Sequence, residues 1–324
     1  MSAALPPLIA LEEHFDAGIL HGGDELHTNL PPHLSDRLQN LGEGRIKDLD
    51  DGKTSLQVIS HIGAPMPVDG CRQVNDKLAA ACAKHPTRLA GFAYLPMSHP
   101  QAAADELERT VSQLGFVGAL INNTTETGEF YDDKKFWPVF ERAEKLNVPI
   151  YIHPVYPAPA LAPRYKGNFS DMASIMMAAS GWGWHSETGL HILRLWASGL
   201  FDAHPKLKLI VGHMGEMIPY TLDRIIHTTR HWGAFARDLR TVWRESIWVT
   251  TSGMFTLPPL QCLLQMSPPE RVMYSVDYPF SSPRENGLKF VEEVRRSGLM
   301  SEEEFAGFCH GNAERLLGVK AVPL

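Results

Sequence analysis

Short apolar and β-branched runs alternate along the chain with longer stretches in which apolar residues recur every three or four positions. Runs of the first kind predict buried strands, and the second spacing predicts amphipathic helices. The predicted strands are residues 8–10, 55–60, 89–95, 117–121, 148–153, 207–213, 247–251 and 272–277. The predicted helices are residues 68–84, 101–114, 134–146, 188–201, 216–229, 258–265, 285–296 and 301–317. Gly115 is expected to cap the second of these helices, and Ser301 with Glu304 to cap the last.

Eight strands that alternate with helices predict a parallel sheet with right-handed crossovers, and eight such units predict a closed barrel. An open doubly wound sheet is the rival architecture, but no Gly-x-Gly-x-x-Gly run follows the first strand. Although 324 residues could hold two small domains, no break in composition marks a linker. We therefore expect one α/β domain over residues 1–324, a (β/α)8 TIM barrel.

Two long segments interrupt the alternation, residues 16–36 after the first strand and residues 154–185 after the fifth. Loops at the carboxyl ends of barrel strands carry the active site in this architecture, so we expect both segments to be active-site insertions. The second is rich in proline near its start, which favours a stiff ordered segment. It predicts a lid over the active-site mouth, with a contact between subunits as the alternative.

The formal net charge of −7 and the charged content of 21% are modest. A dispersed negative charge of this size argues against nucleic acid and against an anionic membrane surface as partners. The four cysteines Cys71, Cys82, Cys262 and Cys309 form no Cys-x-x-Cys pair, so we expect free thiols in a reducing compartment. The first seven residues lack signal-peptide character and no apolar run reaches about 18 residues, which predicts a cytoplasmic globular protein.

Side chains that can bind metal stand where several predicted strands end. Glu12 and His14 close the first strand, and they point to the same face because side chains alternate along an extended chain. His153, His213 and Asp277 close the fifth, sixth and eighth strands. Taken singly, each of these residues is as readily explained by a hydrogen bond in the core. In a barrel, however, these strand ends converge on one face, so together they predict a site for a divalent metal.

These motifs resemble the amidohydrolase superfamily and, within it, the branch of metal-dependent decarboxylases. The strings that carry the resemblance are ALEEHF, YIHP, VGHMGE followed by PY, TTSG and DYPF. The branch includes γ-resorcylate, 2,3-dihydroxybenzoate and 5-carboxyvanillate decarboxylases and the aminocarboxymuconate semialdehyde decarboxylases. The resemblance extends from Ile9 to Leu317. It implies a carboxy-lyase that converts an ortho-hydroxybenzoic acid of the salicylate or dihydroxybenzoate type into CO2 and a phenol.

The resemblance also implies roles for individual residues. The implied metal ligands are Glu12, His14, His153 and Asp277. The implied catalytic residues are Asp277, His213 and Glu216, with His213 beside the substrate and Glu216 orienting its ring. The implied substrate-binding residues are Arg224 and Phe280.

Two carboxylate and two imidazole ligands suit one divalent ion, Mn²⁺ or Zn²⁺ with Mg²⁺ also admissible. We expect no organic cofactor, a small aromatic carboxylic acid as substrate, and a homodimer or homotetramer, as in the branch. The chain departs from the superfamily in having Glu12-x-His14 where many members have His-x-His, and Val155 where some relatives have arginine. The loop 61–67 also differs, so the ring pattern of the substrate stays open.

We expect Asp277 to hold a proton and to deliver it to the ring carbon that bears the carboxylate. A carboxyl group beside a bound anion should have a raised pKa, which suits this role. Two carboxylate ligands weaken a metal's ability to acidify water, which argues against a metal-hydroxide hydrolase. The alternatives are a metal-dependent hydrolase of a lactone or amide, and a catalytically silent barrel that acts as a binding subunit.

Overall fold

The structure is a computed structural model, and it describes residues 4–19 and 30–324. Within that part of the chain the strands are β1 (Ile9–Phe15), β2 (Leu56–His61), β3 (Leu89–Gly91), β4 (Ala93–Tyr94), β5 (Ala119–Asn122), β6 (Ile150–His153), β7 (Leu209–Val211), β8 (Ile247–Thr250) and β9 (Val272–Met273). The longer helices are Pro32–Gln39, Glu43–Asp51, Val68–Lys84, Pro100–Leu114, Trp137–Leu146, Asp171–Ala178, Gly183–Ala197, Ile218–Thr229, Leu239–Ser246, Leu257–Met266 and Lys289–Ser297. The chain ends with the short helices Glu302–Ala306 and Asn312–Leu317.

The strands pair in parallel and close into a barrel. β1, β2 and β3 pair in that order, and β4 to β9 pair in chain order. β3 and β4 form one barrel strand, because only Phe92 separates them and its N–H donates to Ile59 O of β2 at 2.9 Å. The ring closes where Tyr278 pairs with Glu13 and accepts from the N–H of His14 at 2.7 Å. The predicted eight-stranded TIM barrel is confirmed.

Each predicted strand coincides with a barrel strand, and several helices have the predicted ends. The helix Val68–Lys84 has the predicted bounds. Gly115 ends Pro100–Leu114 in a left-handed conformation with φ of 72°, which a residue without Cβ adopts readily. Ser301 and Glu304 form the predicted capping box.

Other predicted helices are broken. The predicted helix 188–201 begins earlier, at Gly183, and is interrupted at Gly199, where φ is 84°. The predicted helix 301–317 contains a wider turn at Gly307–Gly311. The predicted helix 216–229 begins only at Ile218, because the chain before it is left-handed. The spacing of apolar residues fixes which helix face is buried, but not where single turns widen or break.

Two apolar clusters explain why the strand sequences are apolar on both faces. One cluster takes alternate residues of the strands, such as Leu11, Val58 and Ile210, and fills the inside of the ring. The larger cluster lies between the outer face of the strands and the surrounding helices. The polar strand ends therefore stand at the carboxyl end of the barrel, above a packed apolar interior.

The insertion 154–185 is ordered, as predicted. Its first part forms a 3-10 helix, Pro159–Tyr165, and its second part the helix Asp171–Ala178. Its last residue, His185, lies 2.7 Å from the carboxylate of Glu216, so the insertion borders the strand ends as a lid would. A contact between subunits stays a prediction. Of the insertion 16–36, residues 20–29 lie outside the described residues.

The predicted free thiols are confirmed. Cys71 and Cys309 are buried, Cys82 and Cys262 are half-buried, and all four are unpaired. Among the helices of the described ranges, none is both long and apolar enough to cross a membrane.

Candidate metal centre and active site

Four side chains converge at the carboxyl end of the barrel. They are Glu12 and His14 of β1, His153 of β6 and Asp277 after β9. One ligand atom from each lies within 4.8 Å of those of the other three. His153 Nε2 is 3.1 Å from Glu12 Oε1, and His14 Nε2 is 3.3 Å from Asp277 Oδ1. The structure therefore brings together the four residues that the sequence predicts as metal ligands.

The carboxylate of Glu12 shows how this cluster fits a cation. Its Oε2 accepts hydrogen bonds from the hydroxyl groups of Tyr151 and Ser252. Its Oε1 is buried and accepts no hydrogen bond from the described residues, although nitrogens of His153 and His213 lie 3.1 and 3.5 Å away. Burial raises the pKa of Glu12, but the imidazoles of His213 and His153 outweigh it and hold that pKa well below its usual range. An ionised oxygen without a donor, among imidazoles and a second carboxylate, fits a divalent cation.

A β-bulge within β1 aims its side chains. The register of β1 against β2 shifts between Ala10 and Glu13. The backbone N–H groups of Leu11 and Glu12 both donate to the Ser275 hydroxyl, at 3.0 and 2.7 Å. Bulges of this kind re-aim side chains next to active sites. Here Glu12 enters the cluster while Glu13 turns away from it.

Glu13 anchors the segment that carries Asp277. Its four donors are the Val276 N–H at 2.9 Å, the Ser275 hydroxyl at 3.0 Å, the Gln57 amide at 3.0 Å and the Tyr278 N–H at 3.2 Å. Two of these donors flank Asp277, whose φ of 71° is left-handed and costs free energy for a residue with a Cβ. Burial raises the pKa of Glu13, but the four donors, two on each oxygen, leave no acceptor for a carboxyl proton, so these contacts require the ionised form. The sequence gives only one signal for this residue, the alternation that points it away from Glu12.

Asp277 is the member of the cluster best suited to hold a proton. Burial, followed by the charge of Glu12, raises the pKa of Asp277 to about 7. Its side chain is 17% exposed, more than that of the other three residues. A bound cation would lower this pKa, whereas a bound anion would raise it further.

His213 and Glu216 lie in a left-handed turn that follows β7. Five consecutive residues, 213–217, have positive φ, with 48° at His213 and 53° at Glu216. This conformation costs about 1–2 kcal/mol for each residue with a Cβ, and it persists only where surrounding contacts fix it. The Nδ1–H of His213 donates to Glu216 Oε1 at 2.8 Å, so its Nε2 faces the cluster, 3.5 Å from Glu12 Oε1. The predicted pair of His213 and Glu216 is present in the structure.

A second imidazole, His185, uses the other oxygen of the same carboxylate. Its Nδ1 lies 2.7 Å from Glu216 Oε2. Burial raises the pKa of Glu216, but His213 and His185 hold it below its usual range. Burial lowers the pKa of His213, but Glu12 and Glu216 outweigh it and raise that pKa to about 10. His185 ends no strand, so only its place at the end of an insertion could have singled it out.

The two predicted substrate-binding residues differ in their surroundings. Phe280 is 43% exposed, and its ring centroid lies 6.0 Å from that of His14, at the edge of the cluster. Arg224 is exposed on the outer helix Ile218–Thr229, and no hydrogen bond or ion pair joins its side chain to another described residue. The structure therefore brings Phe280 to the cluster, and it does not join Arg224 to the cluster by any hydrogen bond within the described part of the chain.

Several known proteins are similar to this chain over nearly its whole length. The sequence profile of a family described as amidohydrolase matches residues 58–319. Decarboxylase orsB of Emericella nidulans is 45% identical over 97% of this chain and 98% of its own. Gamma-resorcylate decarboxylase of a Polaromonas species is 36% identical over 95% of this chain and 97% of its own.

A solved structure shows what such a barrel can hold. It is a dihydroxybenzoic acid decarboxylase from a Polaromonas species, with bound manganese and the inhibitor 2-nitroresorcinol. It matches this chain with a TM-score of 0.85 and 33% identity over 97% of each chain. The two chains therefore share the fold along their whole length.

Proposed function

The chain belongs to the amidohydrolase family, and on that basis we propose that it is a metal-dependent decarboxylase of an ortho-hydroxybenzoic acid. The reaction releases CO2 and leaves a phenol. The observation that carries the proposal is the cluster of Glu12, His14, His153 and Asp277, which brings two carboxylates and two imidazoles together at the carboxyl end of the barrel. Relatives named as decarboxylases, similar over nearly the full length, support it.

We propose that these four residues hold one divalent ion, with Mn²⁺ first because two of the four donors are carboxylates and because the Polaromonas structure contains manganese. Zn²⁺ and Mg²⁺ are the alternatives. When bound, the ion supplies a Lewis acid and a template for the oxygens of the substrate.

Asp277 acts as the general acid. It transfers its proton to the ring carbon that bears the carboxylate, and the ring loses its aromatic character as the new carbon–hydrogen bond forms. The bond between that carbon and the carboxylate then breaks, its electron pair returns to the ring, and CO2 leaves. Asp277 is left ionised and regains a proton from solvent before the next turnover.

His213, held by Glu216, orients the substrate beside the cluster. Because Nδ1–H of His213 donates to Glu216, Nε2 of His213 is the atom that faces the substrate and can donate to its phenolic oxygen. Phe280 borders the ring, where its position near His14 supports an apolar contact. Arg224 is proposed to bind the substrate carboxylate.

We also propose that the protein forms a homodimer or homotetramer. Large exposed apolar side chains concentrate between residues 169 and 190 and at the start of the helix Ile218–Thr229, and such patches mark interaction surfaces. Met172 is 65% and Tyr220 is 86% exposed. Light scattering that gives a monomer would reject this assembly.

The four free thiols support a reducing compartment such as the cytoplasm.

Turnover of a small panel tests the proposed function. Salicylate, 2,3- and 2,6-dihydroxybenzoate and 5-carboxyvanillate are incubated with the protein, with chelator and with added Mn²⁺ or Zn²⁺, and products are separated by chromatography. A metal-dependent phenol from any of them supports the decarboxylase and identifies its ring pattern. Hydrolysis of a lactone control, with no phenol from the whole panel, would favour the hydrolase instead.

A further inference from the structure

We propose that His185 is a positioning residue for the reaction, which holds Glu216 so that His213 keeps its Nδ1 proton and presents Nε2 to the substrate. This inference rests on the proposed function, because it assigns a role within the same site. The carboxylate of Glu216 is shared by the imidazoles of His213 and His185. Glu216 Oε1 accepts from Nδ1 of His213 at 2.8 Å, and Oε2 accepts from Nδ1 of His185 at 2.7 Å.

The ring of His185 is held at both nitrogens. Its Nδ1 faces the carboxylate of Glu216, and its Nε2 faces the backbone carbonyl of Ser180 at 3.0 Å. The carboxylate of Glu216 can only accept, so the contact at 2.7 Å places a proton on Nδ1 of His185. The ring also packs edge-on against that of His213, with centroids 4.9 Å apart and an angle of 61° between the planes. His185 is 8% exposed, and its orientation is fixed on three sides.

The helix that carries His185 is itself fixed against the left-handed turn. A Cβ on Gly189 would lie 2.6 Å from the backbone oxygen of Glu216, so only glycine allows the two backbones to approach this closely. One residue earlier, the Thr188 hydroxyl accepts from the Asn123 amide, beyond β5, at 3.2 Å. His185 therefore stands at a set distance from Glu216, and it links the insertion 154–185 to the turn.

Glu216 has few other restraints. It is 1% exposed, and within the described residues its side chain is bonded only by His213 and His185. Without His185, Oε2 would be a buried carboxylate oxygen with no donor, and the carboxylate could rotate or admit water. The Nδ1 proton of His213 would then lose its fixed acceptor. The His213 ring could rotate, and Nε2 would no longer be the only ring nitrogen that faces the substrate. Among the described residues of the site, His185 contacts Glu216 and the ring of His213 but forms no hydrogen bond with the four cluster residues, so its loss should impair the chemical step more than substrate binding.

Four variants separate this role from a general structural one. His185→Leu removes both ring nitrogens and keeps a side chain of similar volume. His185→Asn keeps an N–H near the position of Nδ1, whereas His185→Gln places its N–H near Nε2 and leaves Glu216 without a donor. Ser186→Ala, on the same helix, is the matched control, because the Ser186 hydroxyl donates to the backbone oxygen of Gly183 at 3.2 Å and, within the described residues, forms no hydrogen bond with Glu216 or His213.

Steady-state kinetics on a substrate of the panel, at matched metal content, give the first readout. We expect kcat to fall about 10–100-fold in His185→Leu and His185→Gln, with KM within about threefold of wild type. His185→Asn should recover most of kcat, and Ser186→Ala should behave as wild type. Equal kcat in the Asn and Gln variants, or wild-type kcat in the Leu variant, would overturn the proposal. If His185→Leu does not fold, the comparison of Asn with Gln still decides it.

NMR of the metal-free protein gives a second readout that needs no turnover. Histidine-selective 15N labelling, with assignment by His213→Gln, should show a slowly exchanging proton on Nδ1 of His213 in wild type and in His185→Asn. This signal should broaden or vanish in His185→Gln. Its persistence there would refute the positioning role. Should wild type decarboxylate nothing in the panel, the proposed function falls, and this comparison alone judges His185.

Discussion

Replacing Glu13 by glutamine tests whether a residue that does not face the cluster sets the position of Asp277. The carboxylate of Glu13 accepts four hydrogen bonds, two on each oxygen. Glutamine has one oxygen and one NH2 group, so in either orientation two of the four donors face another donor. At about 1–3 kcal/mol for each buried donor left without an acceptor, the variant should lose roughly 2–6 kcal/mol of unfolding free energy.

The expected effect of Glu13→Gln on metal affinity depends on which backbone N–H groups lose their acceptor. The N–H groups of Val276 and Tyr278 flank Asp277 and hold it in its left-handed conformation. Loss of groups that orient a ligand typically weakens metal binding about 10–100-fold, and we expect a loss of this size for Mn²⁺ in Glu13→Gln.

The matched control is Glu106→Gln. Glu106 is 1% exposed and accepts from Asn75 at 2.8 Å and from Arg109 at 2.8 Å, on the outer helix Pro100–Leu114. It should lose stability without losing metal affinity, because it contacts no residue of the cluster. Urea unfolding of the metal-free proteins gives the stability, and competition with a chelator gives the Mn²⁺ affinity. If Glu13→Gln binds Mn²⁺ within about twofold of wild type although its stability has fallen like that of the control, the reasoning is refuted.

Three further predictions concern the proton of Asp277, the binding of metal and the pH dependence of stability. Asp277→Asn, loaded to the same metal content as wild type, should lose about 10²–10⁴-fold in kcat while binding substrate normally, and full activity would remove the general acid. Because the pKa of Asp277 is raised to about 7 in the metal-free protein, protons compete with the ion below that pH. The Mn²⁺ dissociation constant should therefore rise about tenfold between pH 6.5 and 5.5, and an affinity independent of pH in calorimetry would contradict this. Burial lowers the pKa of His191 from 6.5 to about 3, so below pH 6.5 the unfolded chain takes up a proton that the folded protein does not. The stability present above pH 6.5 is thus lost as the pH falls towards 3, by about 1.4 kcal/mol between pH 7.5 and 5.5. The unfolding free energy of wild type minus that of His191→Gln, measured by urea titration at pH 7.5 and at pH 5.5, should fall by about 1.4 kcal/mol. An unchanged difference would exclude this linkage.

The barrel and the convergence of the strand ends could be predicted because both follow from local patterns. Apolar runs place the strands, and in a parallel barrel every carboxyl end meets the same face. Glu12, His153 and Asp277 could therefore be assigned to one cluster from their places in the chain. That they bind a metal stays a prediction.

The groups that position this cluster could not be predicted, because they depend on contacts between distant segments. Glu13 meets its backbone donors 263 and 265 residues away. His185 meets Glu216 through a left-handed turn whose five positive φ values have no apolar periodicity to reveal them. Arg224 is predicted to bind substrate from the resemblance alone, and its side chain is exposed in this structure.

Decarboxylation of the active panel compound in D2O by metal-loaded protein, with the phenol analysed by NMR, tests most directly whether the metal-dependent enzyme protonates the ring. One deuterium is expected on the carbon that bore the carboxylate. Formation of this product should also stop when the metal is removed and resume when Mn²⁺ is restored. Formation of the same phenol at an undiminished rate by metal-free protein would contradict the account, and so would no phenol at all from a protein that hydrolyses the lactone control.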